Sequence, residues 1–316
     1  MSELMPADRT GGTSARRQGL LAALLPVAGL FFVFLLLLIL IAVFVPENVE
    51  HYLAFKNIKT ILKQAVIVGI GALAMTMIIV SGGIDLSAGS VVALAAVVCA
   101  HTVNWCGGEV FYLGFIPVPI LAAIAVGTFT GFINGTVSAR LGIAPFIVTL
   151  GMMMIARGLA EGFADEEIVR TPDNVLKTLM MRNPEPGWLI FSYGVWINIL
   201  LLAGMMILMR YTVFGRYIYA LGANEQAARY SGINVTVNRV LIFSIAGAMF
   251  GLAGVMSYAD IGDGDPTTAI ALELDIIAAV VIGGASLAGG KGSILGSMVG
   301  ALLMAALANG CNLTGV

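Results

Sequence analysis

The run from Ile61 to Ser81 reads ILKQAVIVGIGALAMTMIIVS and passes directly into GGIDLSAGS, Gly82 to Ser90. The first stretch holds a single charge, Lys63 near its start, and no proline. About 20 apolar residues in a helix cross a hydrocarbon core of ~30 Å. Backbone in lipid must satisfy its own hydrogen bonds within the segment. The run therefore reads as a membrane-crossing helix. Gly82 and Gly83 break it, and a second apolar stretch starts at once.

Working outward, the same signal recurs along the chain. Candidate spans fall at 20–45, 61–81, 87–104, 117–138, 143–163, 188–210, 239–259, 274–289 and 293–311. The third and eighth are short or glycine-flanked and read as broken or re-entrant. The expected fold is all-α: a polytopic membrane protein of about 9–10 helices. Residues 1–19 form a polar tail and 20–316 a single membrane domain. Composition agrees, with 59% hydrophobic and 11% charged residues against about 25% charged in soluble domains. The first run is too long for a secretory signal and lacks an A-x-A-like cleavage site. Nine spans leave Val316 outside, so a tenth span is expected to be absent from this sequence.

Arginines and lysines collect in cytoplasmic loops. Arg16 and Arg17 place the N-terminus inside, and parity fixes the rest. Segment 211–238, flanked by Arg210 and Arg239 and holding Arg216 and Arg229 against Glu225, falls inside. The acidic segments 161–187 and 260–273 fall outside. Lys56, Lys59 and Lys63 break the pattern, and the expectation is that they lie along the interface beside Glu47 and Glu50.

Two glycine motifs carry the chemistry of the spans. In the first, Gly82, Gly83, Asp85, Ser87 and Ser90 sit between two apolar runs. Two readings stand: a broken helix lining a solute pathway, or a tight turn in which Asp85 or Ser87 caps the next helix. The pattern returns as Gly283, Gly284 and Ser286, within GGASLAGG, 283–290. Broken segments in both halves of a transporter point to a central binding site, and chance similarity is the rival reading. Arg157 inside the fifth span calls for a carboxylate partner.

The inside segment carries a different signature. Asn224 suits an N-cap, Glu225 the positive end of a helix dipole, Arg229 its last turn and Gly232 the residue past the end. This spells a two-turn helix, Glu225 to Ser231, read either as a docking knob or as an ordinary interfacial helix. Gly247 with Gly251, and Gly292 with Gly296 and Gly300, have the four-residue spacing of helix-packing faces.

Other functions find no support. Gly290-Lys291 is followed by Gly292 where a phosphate-binding loop needs Ser or Thr. No basic run suits nucleic acid, and no His, Cys or carboxylate cluster suits a metal, a cofactor or an enzyme. Two readings of the transport remain, a partner-driven permease and an ion-coupled carrier using Asp85, Arg157, Glu273 or Asp275; a membrane enzyme is the third alternative and lacks such a cluster.

Four stretches, GGIDLSAGS (82–90), NGTVSARLGIAPFIVTLGMMMIARG (134–158), FGRYIYALGANEQAARYSGI (214–233) and ELDIIAAVVIGGASLAGGKG (273–292), resemble the permease subunits of bacterial ABC monosaccharide importers, the ribose type in particular. The resemblance implies an inner-membrane protein that pairs with a second permease copy or paralogue. It also implies separate ABC ATPase subunits and a periplasmic or extracellular substrate-binding protein as partners, in a lipid bilayer. By likeness Gly222, Asn224, Glu225, Arg229 and Gly232 belong to the ATPase-coupling segment. The acidic stretch 257–265 departs from the ribose type, leaving a polyol, a nucleoside or a branched-chain amino acid as alternative cargo.

Overall fold

The computed structural model describes residue 52 and residues 54–107, 117–186 and 189–314. The first expected span, 20–45, and Glu47 and Glu50 lie outside the described residues. Ten α-helices follow in order: α1 Phe55–Val80, α2 Ala88–Trp105, α3 Pro117–Leu141, α4 Pro145–Phe163, α5 Tyr193–Tyr211, α6 Val213–Ala223, α7 Glu225–Tyr230, α8 Val235–Ile261, α9 Leu272–Ile282 and α10 Ile294–Thr314. Seven of the described helices, all but α6, α7 and α9, are long and apolar enough to cross a membrane.

Helices α1, α2 and α8 form the centre. From Gly69 to Val80 every residue of α1 is buried, and α2 is nearly as enclosed. Such all-round burial needs apolar side chains on every face, which the sequence supplies. Helix α3 packs most extensively on α8. Here glycine is required by close approach. A Cβ on Gly127 would meet the backbone nitrogen of Gly251 at 2.7 Å, and one on Gly131 the Phe243 carbonyl carbon at 2.8 Å. The small-residue faces read at Gly247, Gly251, Gly296 and Gly300 are therefore packing faces: Gly296 abuts Gly283, and Gly300 abuts Ala279. The matching stripe on α3, at 127, 131 and 135, is a partner the sequence reading missed.

Helices α4 and α5 are peripheral and turn Phe146, Leu150, Met154, Leu200 and Ile207 outward. These apolar faces are stable only against lipid or another apolar surface. Local caps set several boundaries. Pro145 begins α4, where its missing N–H costs nothing. Gly262, at φ +89°, ends α8 in the left-handed conformation that closes helices.

One expectation is corrected. The eighth span does not run to 289, because α9 stops at Ile282 and residues 283–293 form a loop. Lys63 pairs with Asp260 at the end of α8, and Lys59 contacts Asn183 at 3.4 Å. Other contacts close the same end of the bundle. Asn104 donates to the Arg170 carbonyl, 3.0 Å, the Thr171 amide to Asp263, 2.9 Å, and Val169 bridges to Gly264.

Candidate functional site: two glycine loops around Gly222

The two glycine motifs, far apart in the chain, meet at the opposite end of the bundle. Each begins with the same helix closure. In the first, the Gly83 amide donates to Ile78 O at 2.9 Å, with Gly82 at φ +86°. In the second, the Ala285 amide donates to Val280 O at 3.1 Å, with Gly284 at φ +91°. The left-handed residue is thus the first glycine of one pair and the second of the other. The sequence match is one residue out of register with the backbone match.

The loops then diverge. In the first, Asp85 Oδ1 accepts from both the amide and the hydroxyl of Ser87, at 2.8 and 2.6 Å. Asn134 of α3 donates to Ser87 Oγ at 3.1 Å, and the Leu86 amide donates to Thr149 of α4 at 3.0 Å. Asp85 is 2% exposed, and Ser87 and Ser90 are buried too. The structure therefore brings Asp85 and Ser87 together in an Asx-type turn enclosed by α3 and α4, and Ser87 makes no side-chain cap. Thr149 and Asn134 went unnoticed in the sequence, where both look like ordinary polar residues within spans. In the second loop Ser286 accepts from Gly289 through its carbonyl at 2.9 Å, and residues 283–293 stay partly exposed.

Gly222, at the end of α6, sits between the loops. A Cβ there would strike the Val80 carbonyl and meet the Gly290 nitrogen at 2.5 Å. The Gly290 amide itself donates to Val80 O at 2.8 Å. A Cβ on Gly289 would lie 2.8 Å from Gly222 O and 3.0 Å from Gly82 Cα. Three backbones pass here with no room for a side chain. Tyr219 of α6 adds a hydrogen bond to Gly292 O at 3.0 Å.

Directly after this junction comes α7. Asn224 Oδ1 accepts from the Ala227 amide at 2.9 Å. Past the end, Gly232 is at φ +85° and the Ile233 amide closes onto Ala228 O at 3.1 Å. The helix runs from Glu225 to Tyr230, with Ser231 as its C-cap. Glu225 contacts Arg229 at 3.5 Å and Arg239 of α8 at 2.6 Å. Ala228 is buried, whereas Tyr230 projects with 89% exposure. The loop helix is thus anchored by one face to the bundle and free on the other.

Arg157 has acceptors other than the expected carboxylate. Its Nη1 donates to the carbonyls of Pro266 and Thr268, at 2.5 and 2.9 Å. It holds the segment between α8 and α9. Among the described residues, no group of three or more His, Cys, Asp or Glu could hold a metal ion.

Seven described helices long and apolar enough to cross a membrane, packed into one bundle, define a multi-pass membrane protein. The chain belongs to the family described as branched-chain amino acid transport system / permease component, which it matches over residues 57–316. It is similar to the ribose import permease protein RbsC of Escherichia coli strain K12, 39% identical over 289 residues covering 89% of this chain and 85% of that protein. It is also similar to the fructose import permease protein FrcC of Rhizobium meliloti, 36% identical over 285 residues, 89% of this chain and 77% of that protein. The L-arabinose ABC transporter permease protein AraH of Azospirillum brasilense is 33% identical over 322 residues, 100% of this chain and 91% of that protein. No solved structure matches. The chain is the permease component of an ABC transporter and a multi-pass inner-membrane protein, and ATP hydrolysis belongs to a separate subunit.

Proposed function

We propose that this chain forms the path of a monosaccharide through an ABC importer, alongside a second permease copy or paralogue. The observation that carries the cargo is the set of relatives: permeases for ribose, fructose and L-arabinose, each matched over most of both chains. A periplasmic binding protein delivers the sugar to the acidic end, and two ATPase subunits work at the other. The N-terminal tail, residues 1–19, lies in the cytoplasm on this reading, as does segment 211–238.

The mechanism rests on differential binding of partners to two conformations. The ATPase subunits grip α7 by its free face, where Gln226 and Tyr230 stand exposed. Asn224 and Gly232 keep α7 a rigid lever, Arg229 braces Glu225 within the helix, and Glu225 with Arg239 sets its orientation on α8. Gly222 transmits displacement to both glycine loops at once, because neither loop has slack there. Gly82, Gly83, Asp85, Ser87 and Ser90 on one side, and Gly283, Gly284 and Ser286 on the other, then act as the inner gate of the pathway.

The family's description favours a second cargo, a branched-chain amino acid. Uptake by liposomes holding the permease with its ATPases and binding protein separates the two. ATP-dependent entry of ribose, fructose or arabinose is the expected result. Entry of leucine with no sugar uptake overturns it.

A further inference from the structure

Helix α9, Leu272–Ile282, has 11 residues. At 1.5 Å per residue it spans about 16 Å, roughly half of a ~30 Å hydrocarbon core. Its depth can be read from α1. A Cβ on Gly71 would meet Ile276 Cγ1 at 2.8 Å, so Ile276 lies level with Gly71. That glycine stands about 14 Å from the Val80 end of α1 and about 24 Å from the Phe55 end, counting 1.5 Å per residue. The first turn of α9 is therefore near the middle of the bundle.

What brings the chain to that depth is not helical. Between Gly262 and Ala271 the backbone makes turns, with Ala269 and Ala271 at φ +59° and +63°, a conformation uncommon for residues with a Cβ. Arg157 grips this segment through two carbonyls, and Ala269 O lies against Gly89 near the start of α2. Irregular backbone at membrane depth is stable only when it is buried in protein or lines a wet cavity.

One face of α9 is uncovered. Leu274 is 59% exposed, and Asp275, Val281 and Ile282 are exposed beside it. Among the described residues the Asp275 side chain has neither a hydrogen bond nor an ion pair. Glu273, two residues earlier, turns the other way, against Gly89. A lone carboxylate facing lipid at this depth is strongly disfavoured, and such groups face a cavity instead.

From this geometry we propose that the uncovered face of α9 is the solute-facing wall of the pathway, and that Asp275 accepts hydrogen bonds there from the hydroxyls of a neutral polyhydroxylated solute. The inference rests on the reading of the chain as a sugar permease. A carboxylate suits hydroxyl donors, and Arg157 is already committed to carbonyl oxygens, so it is not free to receive the carboxylate of an amino acid.

Two arms test it on the complete transporter in liposomes. In the first, Asp275→Cys and Leu200→Cys are compared, each with the three native cysteines replaced by serine. Leu200 is the control, 71% exposed on the outer side of α5. A charged, water-soluble thiol reagent is expected to modify position 275 at least about tenfold faster, because thiolate chemistry requires water. Equal, slow labelling overturns the wet wall, whatever the cargo. In the second arm, Asp275→Leu and Asp275→Asn are expected to lower maximal sugar uptake by about tenfold or more, Asn less than Leu, as for loss of a charge-assisted hydrogen bond. Full uptake by Asp275→Leu overturns the role of the carboxylate. Absence of sugar uptake by the unaltered transporter, with position 275 still labelled fast, overturns the functional reading and leaves the wet wall standing.

Discussion

The amide of Gly290 donates to the carbonyl of Val80 at 2.8 Å. This one bond joins the second glycine loop to the end of the first long helix, and Gly222 is lodged against both of its atoms. The loop helix α7 therefore begins three residues after a point where three segments touch backbone to backbone. On the proposed mechanism a push on α7 would reach both loops without passing through a flexible side chain.

Gly222→Val tests that contact. Its side chain has no space between the Val80 carbonyl and Gly290. Overpacking a tight contact costs typically 1–3 kcal/mol. The variant is expected to insert in the membrane, lose thermal stability and lose uptake, while Gly232→Asn retains both. Gly232 has open space around it and a φ that Asn tolerates. Uptake assays and melting in detergent check the pair; normal uptake by Gly222→Val contradicts the junction.

Asn224→Ala removes the cap of α7. Such a change costs about 1 kcal/mol of helix stability, a large share for a helix of six residues. Sugar-stimulated ATP hydrolysis is expected to fall several-fold, with recovery in Asn224→Asp, whose oxygen can accept the same Ala227 amide. Equal activity of the Ala and Asp variants would show that α7 need not be rigid.

The turn at Asp85 makes a separate prediction. Ser87→Ala deletes one of the two donors to the buried carboxylate and the acceptor of Asn134. Leaving buried polar groups unpaired costs about 1–3 kcal/mol. A lower melting temperature is expected for Ser87→Ala, and a smaller loss for Ser87→Thr. No change in either would mean that water replaces the hydroxyl.

Much of the fold was legible in sequence because a bilayer demands a fixed length of apolar helix. The reading of 117–138 and 143–163 is matched by Pro117–Leu141 and Pro145–Phe163. Helix α7 was legible for another reason: Asn224 and Gly232 act on their own neighbours, so local chemistry suffices. The contacts of Gly222 with Gly290, Lys63 with Asp260, and Arg157 with two loop carbonyls were not legible, since each joins segments that only tertiary packing brings together. Helix α6 escaped because its segment, with Arg216, read as a loop between spans, and the one-residue offset between the glycine motifs is visible only in φ.

The α3–α8 seam predicts a different failure. Gly247→Leu would press on the carbonyl carbon of Gly127, 2.9 Å from a Cβ. The helices would have to part, and a marked loss of folded protein in detergent is expected with membrane insertion intact. Gly204→Leu, at a glycine with open space around it, is expected to be tolerated.

On the proposed mechanism, α7 is the handle by which a motor on the inner face moves the gate. Tyr230→Cys, with Cys99, Cys106 and Cys311 replaced by serine, reports on it with a membrane-impermeant thiol reagent. Labelling is expected in inside-out vesicles, none in intact spheroplasts, and protection when the ATPase subunits are added. Labelling from the outside, or undiminished labelling with the ATPases bound, would contradict it.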